Sequence, residues 1–393
     1  MTVPETLQAL VRTFRAHGTS PAIEAFHKHT VEAWSFANLS EAVSDLASGL
    51  LDAGLRPGER VALYSANRPE WIVACVALIE AGAVPVPVDS QMAHNDLAHV
   101  LQDCNARWIM TIRPLAERLA AYGLDQGRTV ILLDAEEHEA RSWRRIRGDP
   151  TRPIPSVQAE DHALLFYTSG VSGKPKGVPL SHRNLLSNLQ ALLDIRVYSP
   201  DERLLLPLPL HHVYPFMVGL LAPFALGLPV ILPHSLTGPQ MLRALRDGRA
   251  TAIVGVPRLY AGLYDAIEQR VRRKGRAAAV VFRVVLSFST ALARYLNIRI
   301  GRRLFAPLRA QLAPQLRTLV YGGSAIAPDL AWYLAGLGWQ IAGGFGLTET
   351  SPILTFIAPG SRHIDAAGKP LPGVRLRIAD PDPKSGQGEI QAQ

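Results

Sequence analysis

The chain has little cysteine: Cys75 and Cys104 are the only two in 393 residues. Two thiols cannot build the dense disulfide framework of a small secreted domain. No CxxC pair and no Cys/His cluster suggests structural zinc. A reducing, cytoplasmic setting is therefore expected. Charge is also sparse, at 19% of residues against 48% hydrophobic, which is too apolar a balance for an intrinsically disordered chain. Long apolar runs are missing as well. No window of about 18 residues is uninterrupted. The nearest approach, 277–293, is broken by Arg283 and diluted by Ser287, Ser289 and Thr290, so no spanning helix is expected. The first eighteen residues lack a basic patch followed by an apolar run, so no secretory signal is expected either.

Acidic residues are nearly absent from one region. Segment 266–317 holds twelve Lys and Arg against Glu268 alone, a net +11. The formal net charge of the whole chain is +8, so the other 341 residues, with 29 basic and 32 acidic, net −3. The basicity is local, which argues against a protein that coats nucleic acid over its whole surface. For the segment itself the plainer reading is a solvated helical insertion whose apolar face packs on the body. The rival readings are a peripheral contact with anionic lipid, on the inner face of a membrane, or steering of anionic small molecules.

Short β-branched runs alternate with longer amphipathic stretches. Strands are expected over 60–65, 84–88, 107–112, 162–168, 204–206, 229–232 and 252–254. Helices are expected over 70–81, 95–103, 182–193, 213–226 and 239–246. This alternation implies an α/β fold: two subdomains of mostly parallel sheet covered by helices, plus a small β-rich portion near the C-terminus. No internal repeat is evident. The charged stretch 136–155 reads as a surface linker within a large region 1–365. Residues 366–393 read as the start of a β-rich subdomain that stops in mid-strand. Both cysteines read as structural: Cys75 has apolar neighbours at helical spacing, and neither cysteine has a basic partner that would activate it.

Two motifs carry chemistry. The first is YTSGVSGKPKGV at 167–178, between an expected strand and an expected helix. Glycines let backbone N–H groups approach an oxyanion, Thr168, Ser169 and Ser172 offer hydroxyls, and Lys174 and Lys176 supply charge. A polyphosphate is the natural ligand, although a plain Gly/Ser surface loop has the same composition. It is not a Walker A loop, because Pro175 follows the GxxGK of 170–174 where Ser or Thr is required. The second is GGFGLTETSP at 343–352, after an apolar stretch. It places Thr348 and Glu349 at the carboxyl end of an expected strand, where open α/β sheets bind ligands. A carboxylate beside a polyphosphate is a plausible Mg²⁺ ligand; the alternative is a turn with a solvated glutamate.

These two motifs in this order resemble the adenylate-forming superfamily, which includes acyl-CoA synthetases, amino-acid adenylation domains and luciferases. Further matches are YGGSA at 321–325, LPLHHV at 208–213, GKPLPG at 368–373 and GEI at 388–390. The resemblance covers nearly the whole chain. Within the superfamily the chain is most similar to long-chain fatty acyl-CoA synthetases, through GVPRLY at 255–260 and the basic insertion that follows. The stretch 208–228 carries no acid, where amino-acid adenylation domains usually place an Asp, and this favours an apolar carboxylic acid.

The resemblance implies ATP-dependent activation of a medium- or long-chain fatty acid, first to an acyl-adenylate and then to acyl-CoA. An aryl or other apolar acid, or a non-catalytic nucleotide-binding homologue, are the alternatives. It implies that Thr168, Ser169, Gly170, Ser172, Gly173 and Lys176 cradle the β- and γ-phosphates. Gly323, Ser324 and Ala325 would line the adenine, and Phe345, flanked by Gly344 and Gly346, would stack on it. Thr348 would contact the α-phosphate and Glu349 would hold Mg²⁺. His212 would lie near the reacting carboxylate, with Tyr214, Gly322 and Gly323 also on the substrate side. Coenzyme A is the implied co-substrate, and no nucleic-acid partner is implied. Val171 departs from the family, which usually has Thr or Ser there. The family also continues beyond the pattern matched here with an Asp for the ribose, a hinge and a small lid domain bearing a lysine. The chain is therefore expected to be the N-terminal part of the enzyme, binding nucleotide but poorly active alone.

Overall fold

A computed structural model describes residues 2–149, 151–169 and 173–393. Its contacts divide the chain into two compact units, Met1–Gln190 with Leu208–His234, and Ala191–Pro207 with Ser235–Gln393. The chain passes between units more than once, a pattern that a search for successive linkers does not anticipate.

The first unit contains a four-stranded parallel sheet in the spatial order Val84–Val88, Arg60–Tyr64, Trp108–Thr111, Thr129–Leu132. Val84–Val88 carries prolines at 85 and 87, which its edge position tolerates because a proline offers no ladder donor. Its Val84 N–H donates to the Glu59 carbonyl at 2.8 Å. Helix Pro69–Glu80 begins on a proline and has every residue buried, as expected of a helix that is apolar on all sides. It packs between the sheet and helices Leu7–Thr13 and Phe36–Asp52. Burial holds the Cys75 thiol far above its ordinary range, so it acts as a small core residue. A separate antiparallel hairpin, His162–Ser169 with Pro175–Ser181, lies against Val84–Val88. The antiparallel pair Pro21–Phe26 and Val31–Ser35 was not anticipated from sequence; its first strand also pairs in parallel with Val230–Leu232.

Segment 136–155 is not free chain. Trp143 and Ser142 are buried, and Gly148 passes so close to helix Phe36–Asp52 that an added Cβ would collide with the Ser48–Gly49 backbone. The abundant charge of this stretch suggests a solvated linker, but the apolar ring of Trp143 finds a place inside.

In the second unit Leu204–Leu205, Ala252–Gly255, Thr318–Tyr321 and Gln340–Phe345 run parallel in that order. Thr355–Ile357 and Lys369–Pro370 extend the array antiparallel. Tyr260 is buried under it, with its hydroxyl 2.7 Å from the Val320 carbonyl and 3.0 Å from that of Ile253. Leu376–Ala379 and Glu389–Ala392 form their own antiparallel pair. Both units thus have the mixed α/β character expected, with parallel strands at the centre.

The basic insertion folds as helices Pro257–Arg272 and Arg276–Ala291, the second prolonged by a wider turn over Leu292–Leu296. Among the described residues, 276–296 is the one helix long and apolar enough to cross a membrane by length and composition. This corrects the expectation that Arg283 and the nearby hydroxyls rule out such a stretch.

Candidate active site

In the first unit, the phosphate-type motif is a β-hairpin rather than one open turn. Thr168 stands opposite Lys176, and Ser169 opposite Pro175. Gly170 and Ser172, together with Val171, lie outside the described residues. Gly173 has φ of 85° and open space where a side chain would stand, so the tip turns in a conformation that glycine adopts without strain. Lys174 and Lys176 are exposed, and neither pairs with a carboxylate among the described residues.

The stem is fixed by groups that sequence reasoning missed. The Tyr167 hydroxyl donates to Asp103 Oδ2 at 2.5 Å, and burial followed by this carboxylate raises the phenol well above its ordinary range. The His99 Nε2–H donates to the Pro175 carbonyl at 3.0 Å. Both anchors come from helix His94–Asp103. Gly177 lets the Tyr167 ring lie across the strands, since a Cβ there would stand 3.3 Å from Tyr167 Cζ. These partners are distant in sequence and leave no local signal.

Also in the first unit, the histidine turn is held by Asn67. Its Nδ2 donates to the Leu208 carbonyl at 2.7 Å, and its Oδ1 accepts from the Leu210 N–H at 2.8 Å. A side-chain amide that satisfies one backbone carbonyl and one N–H fixes the loop as a strand neighbour would. The His211 and His212 rings lie 4.3 Å apart. His211 Nε2 is 4.0 Å from Asp89 Oδ2, so an acid does approach this motif, from a strand end over a hundred residues earlier. Burial, and then the neighbouring His212, push His211 down to about 4 against the pull of Asp89. Desolvation lowers His212 too. Both imidazoles are therefore neutral at pH 7. Tyr214 is half-buried, and Phe216 meets Phe166 of the phosphate hairpin edge-to-face at 5.8 Å. The helix expected over 213–226 is present, with one wider turn at Met217–Leu221.

In the second unit, the remaining candidates lie along one edge. Tyr321 and Gly343 are partners on adjacent parallel strands, so Gly322–Ala325 and Gly344–Glu349 leave or lie at the same carboxyl end of the array, where such sheets bind ligands. Close packing dictates three of the glycines. A Cβ on Gly343 would collide with the Tyr321 ring, one on Gly346 with the Pro352 carbonyl, and one on Gly344 would stand 2.9 Å from the Thr355 carbonyl. Gly323 has φ of 79°. Gly323, Ser324 and Ala325 are exposed, and Phe345 is half-buried.

Thr348–Thr350 forms one tight turn. Thr350 closes it: its Oγ1 accepts from the Leu347 N–H at 2.9 Å and lies 3.0 Å from the Pro352 carbonyl. Thr350 was not singled out in sequence, although its place three residues after Leu347 is the spacing of a cap. Glu349 is exposed and makes no hydrogen bond or ion pair with another described residue. No group of three or more His, Cys, Asp or Glu among the described residues could hold a metal by itself. One free carboxylate suits Mg²⁺ that also takes phosphate oxygens from a nucleotide.

Parallel strands that end in glycine turns give the second unit its α/β character, and in the first unit Lys174 and Lys176 stand exposed on a separate hairpin without a carboxylate partner among the described residues. The chain belongs to the AMP-binding enzyme family, whose profile matches residues 12–392. It is 29% identical over 374 residues to the long-chain-fatty-acid–CoA ligase FadD15 of Mycobacterium bovis, covering 88% of this chain and 61% of that protein. It is 31% identical over 369 residues to a feruloyl-CoA synthase of Amycolatopsis sp, covering 92% and 65%. The chain thus spans somewhat under two thirds of the length of these relatives. Among solved structures, a long-chain-fatty-acid-CoA ligase from Archaeoglobus fulgidus superposes with a TM-score of 0.78 at 20% identity, covering 100% of this chain and 76% of that one. The N-terminal domain of FACL13 from Mycobacterium tuberculosis gives 0.76 at 19% identity, covering 99% and 88%. At these identities the structures establish the fold.

Proposed function

We propose that this chain provides the nucleotide- and acid-binding part of an AMP-forming acid–CoA ligase acting on a medium- or long-chain fatty acid. The observation that carries the reading is the phosphate hairpin. Thr168 faces Lys176 across the hairpin, and the exposed ammonium groups of Lys174 and Lys176 have no carboxylate partner among the described residues. An exposed cationic tip with hydroxyls beside it suits the β- and γ-phosphates of ATP.

In this reading a carboxylate oxygen of the acid attacks the α-phosphorus of ATP. The bond to the pyrophosphate oxygen breaks, and acyl-adenylate and pyrophosphate result. The thiol of coenzyme A then attacks the acyl carbon, loses its proton, and expels AMP as the thioester forms. Lys176, Thr168 and Ser169 stabilise the pyrophosphate charge, and Thr348 donates to the α-phosphate. Gly323–Ala325 and Phe345 receive the adenine. Glu349 would hold Mg²⁺, which when bound would neutralise phosphate charge. Neutral His211 and His212 add no positive charge to the acid's surroundings, and His212 can donate a hydrogen bond to a carboxylate.

The fatty-acid reading is supported by the relative named for long-chain fatty acids and by the apolar, largely buried helical stretch 213–225 behind the histidines. An aryl acid is the second reading, favoured by the relative named a feruloyl-CoA synthase. Because the chain is shorter than these relatives, binding is a better readout than turnover. Calorimetry with two hydrolysis-resistant acyl-sulfamoyl adenosines, one alkyl and one feruloyl, separates the readings. The alkyl compound is expected to bind at least about tenfold more tightly, a difference of about 1.4 kcal/mol. Tighter binding of the feruloyl compound selects the aryl reading, and binding of neither contradicts both.

A further inference from the structure

Helix Arg276–Ala291 and its extension to Leu296 present two apolar stripes to different surroundings. One stripe, Ala279, Phe282, Leu286, Ser289 and Ala293, is buried. It is tied to helix Pro328–Gly336, where Ser289 Oγ donates to the Gly336 carbonyl at 2.7 Å. Gly336 permits this approach, since a side chain there would collide with Thr290. The other stripe points away, at roughly 160° around the helix by its 100° per residue. On and beside it Val280, Val281, Val284, Phe288, Tyr295 and Leu296 are each more than half exposed.

The charge is arranged around this apolar band. Arg276, Arg283 and Arg294 recur at spacings of seven and eleven, which places them together on one flank. Arg294 lies over the Trp332 ring at 5.6 Å. Arg273, Lys274, Arg276, Arg283, Arg302 and Arg303 are exposed and have no carboxylate partner among the described residues. The only acid of the segment, Glu268, is engaged by Arg272 at 2.9 Å.

We propose that this face docks on the surface of an anionic phospholipid bilayer, with the helix lying in the plane of the interface. An exposed apolar band calls for a partner that removes it from water, and the unneutralised arginines beside it call for a negative one. Two copies of this chain meeting face to face would bring the two net +11 segments together, which disfavours self-association. A small anion would satisfy the arginines and leave the apolar band wet. A spanning helix would have to tear the buried stripe and its hydrogen bond from helix Pro328–Gly336, whereas an in-plane helix keeps both.

The test is co-sedimentation of the full chain with phosphatidylcholine vesicles, with and without phosphatidylglycerol, at about 50 mM and about 500 mM salt. Binding is expected only with phosphatidylglycerol present and should weaken at high salt. Val284→Asp with Phe288→Asp should reduce it at least tenfold, while circular dichroism melting stays unchanged because both side chains are exposed. Arg276→Gln with Arg283→Gln should weaken binding and flatten its salt dependence. The proposal is overturned by an absence of salt-sensitive binding, or by binding that both double variants leave intact. It is also overturned if sedimentation velocity shows a dimer that the aspartate pair dissolves while vesicles capture nothing.

Discussion

His182 shows how much one buried residue can decide. Its Nδ1 accepts a hydrogen bond from the Leu7 N–H at 3.1 Å, a role open only to an unprotonated nitrogen. Burial lowers its pKa to about 4 from an ordinary 6.5. The folded state therefore binds fewer protons than the unfolded chain between these values. The stability this gives is present above about pH 6.5 and is lost as pH falls toward 4. At pH 5 the loss from this residue alone is about 2 kcal/mol. Urea melts at pH 7 and pH 5 should show it, and His182→Gln should flatten that part of the profile. An unchanged slope contradicts the assignment. Asn67 is a second such residue. Asn67→Ala removes two hydrogen bonds from the turn that carries His211 and His212, and should cost about 1–3 kcal/mol in a urea melt. It should also weaken binding of an acyl-adenylate mimic more than binding of ATP, and equal effects on both would deny it a positioning role.

At the scale of elements, regular periodicity was readable from sequence and distant pairing was not. Strand Val84–Val88 appears at its expected bounds, and helices Pro69–Glu80 and His94–Asp103 fall within a residue of theirs, because proline, glycine and apolar spacing act locally. The phosphate motif was placed between the correct strand and helix, but its second half is itself a strand, Pro175–Ser181. Glycine, lysine and proline are poor strand formers, and here pairing with His162–Ser169 overrides that preference. Likewise the resemblance implies that Gly344 and Gly346 lie at the nucleotide, and close packing independently leaves no room for a side chain at 343 or at 346. Gly346→Ala should consequently destabilise the protein by more than about 2 kcal/mol, whatever its effect on nucleotide. A variant with unchanged thermal stability contradicts the packing argument. The anchors Asp103, His99 and Asn67 were not found from sequence because each acts through geometry that only the folded chain supplies, whereas Thr350 had a local signal in its spacing from Leu347.

For the whole molecule, the net +8 divides into a segment of +11 and a remainder of −3. That remainder carries every proposed nucleotide- and acid-binding residue, so attraction of ATP has to come from a few placed groups rather than from the overall field. The phosphate hairpin is proposed to be such a placed group. Calorimetry of the chain with ATP, with and without Mg²⁺, tests it most directly. Saturable binding of ATP with Mg²⁺ is expected, with no heat from Mg²⁺ alone, since no three-residue acidic or histidine cluster is present among the described residues. Lys176→Ala should weaken ATP at least about tenfold, or about 1.4 kcal/mol, without lowering the melting temperature of the free protein. Absence of ATP binding to the folded chain, or affinity unchanged by Lys176→Ala, would contradict it.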